Sequence, residues 1–581
     1  LSAANVLTQH GLNVLVLEAR DRVGGRTLTK TTGSLWCDLG GSYVGPTQDC
    51  LLRLVEEFGL ETYKVDETKA ISYLAVKPEK SSWHSLFGSR WFSRTKPPDN
   101  GCSGDTTSTA DSDASKSGTN LTRQKSIASR LQRRPITGLT PECRLRRARF
   151  MFDESVPVGN WFERLDFNNV IRLMDTMGAT IPSDAPWNAP QAQLWDSMSF
   201  REWIQQTAWT QSVRNFFNEL FIAIDVTVEA SDASLLWLLW YVKQCGGVGR
   251  SISTTNGGQE RKVCGGTQQI SLRLREKLGA SKVLLNKPVY KVDQTLGPMV
   301  VLTTCDGAQY QADYVIFAFP PHLQLKIHYS PPLPPEKTLL AQRSPMGMVA
   351  KVILYYETAF WKQRGLCGSL MLQTKDHFSH PVVFALDETK PDGSHPAIIA
   401  FVPARSWYET RSLSKEDKGR LVARCFADAT GYDEFLTPIA VEHFDWTSEQ
   451  YSGGCYTTTH SPGALTKFGH ALRQPYGRIY YAGTETAIKW SGYMDGAVSA
   501  GERAAREILH RLGRIDETQI WQVEPESRIV PATPYEYSWW TLHSPTPSAV
   551  VKSSLLASSI VFVILLHATK KMPMMHARFC S

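Results

Sequence analysis

No two of the eleven cysteines stand in a Cys-x-x-Cys pair, and no histidine cluster accompanies any of them. That excludes the usual zinc frameworks, and no metal is expected. An odd number scattered from Cys37 to Cys580 fits reduced intracellular thiols rather than a disulfide scaffold. Charge of one sign is also scarce: the net is +7 over 581 residues, with much of the basic excess in Arg133-Arg134 and the run from Arg144 to Arg149. No basic stripe interleaves with aromatics, which excludes nucleic acid as the main partner. Apolar residues are not lacking. At 42% hydrophobic and 20% charged, the chain is expected to bury a large core in more than one domain.

The chain opens inside a motif. Residues 1–10, LSAANVLTQH, read as the end of a helix, with Gly11 suited to the position just past it. The run Leu12–Leu17 is apolar apart from Asn13 and stops at Glu18, as a buried parallel strand ending on an acid does. In a dinucleotide-binding fold that acid accepts hydrogen bonds from the adenosine ribose; otherwise Glu18 is a solvated strand end. Such a fold sets a strand and a glycine-rich turn ahead of this unit. We therefore expect the sequence to be truncated upstream of Leu1.

From Glu79 to about Phe150 the composition shifts. Residues 98–120 are small and polar without apolar periodicity, and a disordered insertion is expected over 79–150. Ser126 follows a basic pair, and Asn120-Leu121-Thr122 is a formal sequon; both are expected to be incidental. Order is expected to return at Asn160. Phe216–Ile224 and Leu235–Val242 read as buried helices. Met299–Leu302, Tyr314–Phe317, Lys351–Tyr356, Val382–Leu386, Ile398–Val402 and Arg478–Tyr481 read as strands. A helix from Gly492 to about Leu512 should aim its N-terminus at an anionic or electron-rich group.

Leu555–Leu566, LLASSIVFVILL, carries no charge and lies between Lys552 and Lys570-Lys571. With His567 neutral, the uncharged stretch Ser553–Thr569 is about 17 residues, the short edge of what spans a bilayer, and Trp539 and Trp540 upstream suit the headgroup level. We expect a tail anchor over 550–571; a buried core helix is the alternative.

The segment Glu18-Ala19-Arg20-Asp21-Arg22-Val23-Gly24-Gly25-Arg26-Thr27 resembles the second flavin fingerprint of the amine oxidase superfamily, with Arg22 and Arg26 as sources of charge. Asp38-Leu39-Gly40-Gly41-Ser42-Tyr43-Val44-Gly45 resembles its next cofactor loop. Tyr451-Ser452-Gly453-Gly454-Cys455-Tyr456-Thr457-Thr458 and the stretch from Ala482 to Ala497 resemble the C-terminal flavin motifs of the monoamine oxidases. Trp237–Gly247 and Ser253–Lys262 carry the resemblance through the middle of the chain.

The resemblance implies an α/β doubly wound, Rossmann-like FAD-binding domain (1–63, 264–340 and 449–511, its first strand and glycine-rich turn missing). With it come an α+β mixed-sheet substrate domain (64–263 and 341–448), a surface extension (512–549) and the C-terminal transmembrane helix. It implies FAD joined to Cys455 as an 8α-thioether, a linkage that separates the monoamine branch from polyamine-type oxidases. Alone, Cys455 would read as a buried hydrophobe. The Ser-Gly-Gly approach is expected to bring bare backbone against the flavin ring.

By the same resemblance Glu18, Arg20, Gly25, Arg26, Gly41, Ser42, Tyr43, Val289, Trp446, Gly483, Thr484, Gly492 and Met494 hold the cofactor. Tyr456 and Tyr493 face each other across the ring and orient the amine, whereas ordinary core aromatics would be the plain reading. Lys351 holds a water against flavin N5; otherwise it is a strand-edge lysine reaching solvent. Ile224, Asp225, Ile252, Gln259, Phe384 and Phe401 line the substrate cavity. Ile252 and Phe384 resemble the B form, so arylalkyl monoamines of the phenylethylamine or benzylamine kind are expected. Asp225 departs from the family, where its position is uncharged; it either pairs with a second amine or points to solvent. Thr459, His460 and Ser461 also depart, and are expected to be loop variation with His460 on the surface.

The implied reaction is oxidative deamination to an aldehyde, with O₂ as acceptor and H₂O₂ and ammonia released. A homodimer on the mitochondrial outer membrane, facing the cytosol, is the implied setting. The other readings are a polyamine-type oxidase and a non-catalytic, membrane-anchored relative.

Overall fold

The computed structural model describes residues 1–33, 35–66, 69–76, 145–150, 159–374 and 376–570. Residues 1–74 and 147–581 group as one unit and 75–146 as another, of which only the strand ends at 75–76 and 145–146 are described. The calls on Ser126 and on Asn120-Leu121-Thr122 lie outside the described residues.

The opening segment folds as its pattern demands. Ser2–Gln9 is a helix, and Gly11 follows it at φ +72°. Gly11 N–H donates to Thr8 O and Leu12 N–H to Leu7 O, which closes the helix and turns the chain into Val16–Leu17. That strand pairs in parallel with Val283–Leu284, and Val315–Phe317 pairs in parallel with Ile479–Tyr481. The helix Met494–Arg511 lies against Ser2–Gln9, where Gly501 matters: a Cβ there would sit 3.3 Å from Ala3 N.

A seven-stranded mixed sheet forms the second layer. Its order is Ala440–Asp445, Val349–Tyr355, Ala397–Pro403, Phe384–Asp387, Leu366–Gln373, Ala70–Val76 and Leu145–Phe150. Val349–Tyr355 lies between two antiparallel partners and is buried at every position, Lys351 included. Its register pairs Lys351 with Phe401, Phe401 with Phe384, and Phe384 with Met371. Directly opposed residues point to one face of a pleated sheet. Four neighbouring strands thus deliver a row of side chains to one side.

Most expected elements form, with ends displaced by a residue or two. Two expectations need correction. The disordered insertion was drawn through residue 150, yet Leu145–Phe150 is a strand. It is the last strand in the order, at the sheet's edge. Second, Phe216–Ile224 is not one α-helix: Phe216–Phe221 is a π-helical turn, followed by a short α-helix over Ile222–Asp225. Wide turns of this kind often accompany functional sites.

Pro547–Lys570 is a helix of 24 residues, about 36 Å long, against an apolar bilayer core of about 30 Å. Leu556, Phe562 and Ile564 on it are each at least 60% exposed. A core helix would hide them, so the buried-helix alternative fails. Residues 547–564 form a candidate membrane span by length and composition.

Candidate active site

A continuous cavity of about 1470 Å³ runs between the parallel strand pairs and the mixed sheet. It exceeds the ~300–1,000 Å³ usual for one small ligand. Every residue assigned above to cofactor, catalysis or substrate cavity contributes to its lining. Residues more than 400 apart in the chain come together there.

The fingerprint loop is held by its own charges. Glu18 accepts from Arg20 N–H at 3.0 Å, and Arg20 also reaches Glu449 at 2.5 Å and Ser452 Oγ at 2.8 Å. This bolts the first loop to the segment before Cys455. Arg20 Nε is buried without a hydrogen-bond partner among the described residues, a donor available to an anionic ligand. Arg22 and Arg26 do not act as free charges. Arg22 donates to the carbonyls of Gly25 and Thr27 at 3.1 and 3.0 Å. Arg26 donates to Glu485 at 2.6 and 3.0 Å and to Tyr456 O at 2.8 Å. Arg22 braces backbone and Arg26 both backbone and carboxylate, because a tight glycine turn leaves carbonyls that need donors.

Lys351 is 3% exposed, so it is not a strand-edge lysine reaching solvent. Its three donors meet Gly40 O, Asp38 O at 3.3 Å and Ser42 Oγ at 3.1 Å, and its Nζ lies 5.2 Å from the Phe401 ring centre. Burial lowers its pKa to about 8, with Asp38 opposing the shift. Asp38, not among the assigned residues, is pushed up to about 6 by burial, although Lys262 pulls the other way.

Cys455 is buried, and burial pushes its thiol up to about 12 against the pull of Arg26 and Lys351. Gly454 precedes it at φ +140°, and a Cβ there would lie 2.1 Å from Gly347 O. The glycine is therefore required by backbone packed on backbone, not by the approach to a ring alone. Tyr493 stacks on Tyr241 with centroids 6.1 Å apart and meets Trp490 edge-on at 4.7 Å. Tyr456 meets Phe401 edge-on at 6.3 Å, and Phe401 stacks on Phe384 at 5.9 Å. Trp446 is fixed by donation from Nε1 to Leu39 O at 2.8 Å.

His460 is not a surface histidine. It is 1% exposed, and its Nδ1 lies 2.9 Å from Ser344 Oγ. Since the Ser344 hydroxyl donates to Leu340 O, the imidazole donates to Ser344. Burial lowers its pKa to about 4, so it is neutral. Asp225 likewise does not point to solvent: it is 5% exposed, and burial raises it to about 8 with a Ser251 hydrogen bond opposing. Tyr241, Ser251 and Thr254 also line the cavity and were missed. Tyr241 and Thr254 stood inside motifs already singled out, whereas nothing in the sequence signals Ser251.

The cavity suits a dinucleotide with a second ligand beside it. The model for flavin containing amine oxidoreductases matches residues 1–509. The chain belongs to this family. It is 43% identical to the flavin-containing amine oxidase B of Canis lupus familiaris over 553 residues, 95% of this chain and 92% of that protein. It is 42% identical to the flavin-containing amine oxidase A of Equus caballus over 562 residues, 96% of this chain and 92% of that one. Among solved structures, cyclohexylamine oxidase from Brevibacterium oxydans IH-35A superposes with a TM-score of 0.71 at 26% identity, covering 88% of this chain and 97% of that one. This amine oxidase is an FAD-dependent oxidoreductase that deaminates amines oxidatively. A decayed, non-catalytic relative does not describe it.

The Arg26–Glu485 pair generates a prediction. Burial would raise the Glu485 carboxyl, but Arg26 outweighs it and holds the group below its ordinary 4.5. A depressed carboxyl contributes stability above that unfolded value and loses it as pH falls through the lower folded one. Glu485→Gln strands a mostly buried guanidinium and should cost about 3–5 kcal/mol at pH 7. Urea unfolding from pH 7 to 3 should show the deficit shrinking toward acid. A deficit independent of pH would refute the assignment.

Proposed function

We propose that this amine oxidase takes primary arylalkyl monoamines, and some secondary and tertiary ones, on FAD joined covalently to Cys455. One observation carries the reading: the Cys455 thiol, Lys351 and the two tyrosines Tyr456 and Tyr493 line a single cavity. The flavin-holding part is 1–63, 264–340 and 449–511, and the amine-holding part is 64–263 and 341–448. Residues 512–549 form a surface extension.

The flavin, when bound, supplies the two-electron acceptor for the amine and the route to O₂. The residues here prepare for it. Glu18 and Arg20 would hold its adenosine end, and Gly25, Arg26, Gly41, Ser42, Tyr43, Val289, Trp446, Gly483, Thr484, Gly492 and Met494 the remainder. The unpartnered Arg20 Nε supports that fit, as does the N-terminus of Met494–Arg511 beside the cavity. Tyr456 and Tyr493 orient the amine, their faces favouring its nitrogen by about 0.5–2 kcal/mol. Ile224, Ile252, Phe384 and Phe401 exclude water and favour the neutral amine over its ammonium. Lys351, whose donors meet Gly40 O, Asp38 O and Ser42 Oγ, would release one of these contacts to hold a water beside the ring.

The covalent link is tested without turnover. Acid-precipitated holoenzyme should give a yellow pellet, and Cys455→Ser a colourless one; a colourless wild-type pellet refutes the linkage. Ile252 and Phe384 support a preference for phenylethylamine over serotonin. Phe384→Ile should shift the kcat/KM ratio of these two amines toward serotonin by roughly 10-fold, the scale of one well-packed contact. An unchanged ratio refutes the assignment.

We further propose a homodimer anchored by 550–571 in the mitochondrial outer membrane, catalytic part toward the cytosol. The exposed apolar face of Pro547–Lys570 supports the anchor. In fractionated cells the full chain should stay with outer membranes through alkaline carbonate, and external protease should remove its activity from intact mitochondria. Release into the carbonate supernatant refutes the anchor.

A further inference from the structure

Asp225 ends the short helix that follows the π-turn, and it lines the same cavity as Tyr456 and Tyr493. Its Oδ2 is buried and has no hydrogen-bond partner among the described residues, and neither do Thr254 Oγ1 and Gln259 Oε1, which line that cavity too. The orientation of Gln259 follows from chemistry. Its amide donates to Ser251 O at 3.0 Å, and a carbonyl oxygen only accepts, so the NH₂ must face Ser251 and Oε1 is left free. Ser251 also meets the Asp225 carboxyl. Two acceptors thus gather about one serine, with the Thr254 hydroxyl three residues on. The surrounding wall is apolar, formed by Ile224, Ile252 and Phe384.

No described lysine, arginine or histidine forms an ion pair with Asp225. A buried carboxyl with no cation beside it among the described residues and its Oδ2 unsatisfied is costly in an apolar wall, and a ligand that brings donors offsets that cost. An ammonium carries three N–H donors and no acceptor, which complements Asp225, Gln259 Oε1 and Thr254 Oγ1. A phenolic hydroxyl would satisfy only one of them and would bring no charge.

We propose that Asp225, with Gln259 and Thr254, is a specificity site for the second, protonated amino group of a diamine whose first amino group is presented between Tyr456 and Tyr493. This rests on the reading of the cavity as the amine site. On binding, the ammonium pairs with the ionised carboxylate and the Asp225 proton leaves to solvent; no bond in the substrate changes at this end.

The test compares 1,4-bis(aminomethyl)benzene with 4-methylbenzylamine, alike except for the distal amino group. Wild-type holoenzyme should show the higher kcat/KM for the diamine, chiefly through KM. In Asp225→Asn the diamine-to-monoamine ratio should fall by at least about tenfold, the loss expected when one member of a buried charge pair is removed. Asp225→Glu should recover part of it. A ratio changed by less than about twofold in Asp225→Asn, or a wild-type preference for the monoamine, overturns the proposal while leaving the oxidase reading intact. The wild-type comparison decides even where a variant does not fold. Selective loss for tyramine over phenylethylamine, with the diamine ratio steady, also overturns it, in favour of a hydroxyl. Wild-type enzyme that oxidises none of these amines overturns the cavity reading and this proposal together.

Discussion

The ion pair between Arg26 and Glu485 ties the two ends of the enzyme into one site. The residues are 459 apart in sequence, and the same guanidinium also holds the carbonyl of Tyr456. One cation therefore joins the glycine loop near the start of the chain, the segment that follows Cys455, and the turn leading into Met494–Arg511. Arg20 repeats the device with Glu449 and Ser452. Water screens such pairs at a surface, but here Glu485 is 3% exposed, so removing either partner leaves a charge with little solvent to receive it. The geometry around Cys455 depends on both clamps.

The mixed sheet supplies the other wall by a different principle. Period-two pleating and a fixed register set Lys351, Phe401, Phe384 and Met371 side by side on four strands. A slip of one residue would send Lys351 to the opposite face. The lysine's burial is sustained by two carbonyls and a hydroxyl from the 38–42 loop, so the sheet and the flavin-side loop hold each other in place. The cavity combines buried polar groups with apolar walls. Lys351 and Asp225 in its lining, both near 8, owe their shifts first to burial. An interior of that kind favours neutral amines at one end while keeping an unpaired acid at the other.

The segments 18–27, 38–45, 451–458 and 482–497 that line the cavity were legible because each is a contiguous local motif. Glycines with positive φ, a cysteine among them and tyrosines beside them leave a mark in sequence. The misreadings share a cause. Arg22 and Arg26 read as sources of charge, and the chain does not say that carbonyls and Glu485 already take up much of it. His460 looked exposed because polar neighbours surround it in sequence, while in space it is buried against the Ser344 hydroxyl. Leu145–Phe150 looked like part of a basic insertion because a strand at a sheet's edge needs no apolar alternation.

The sequence by itself determined the family, the cofactor and the apolar helix near the C-terminus, since these are written in contiguous motifs whose chemistry is local. Only the tertiary structure decided which charges are spent on one another, why Gly454 must be glycine, and that Asp225 and Gln259 converge on Ser251 inside the amine cavity. Those facts depend on backbone from distant segments sharing one space. Desolvation and hydrogen-bond partnership there arise from the packing, and no single segment carries them.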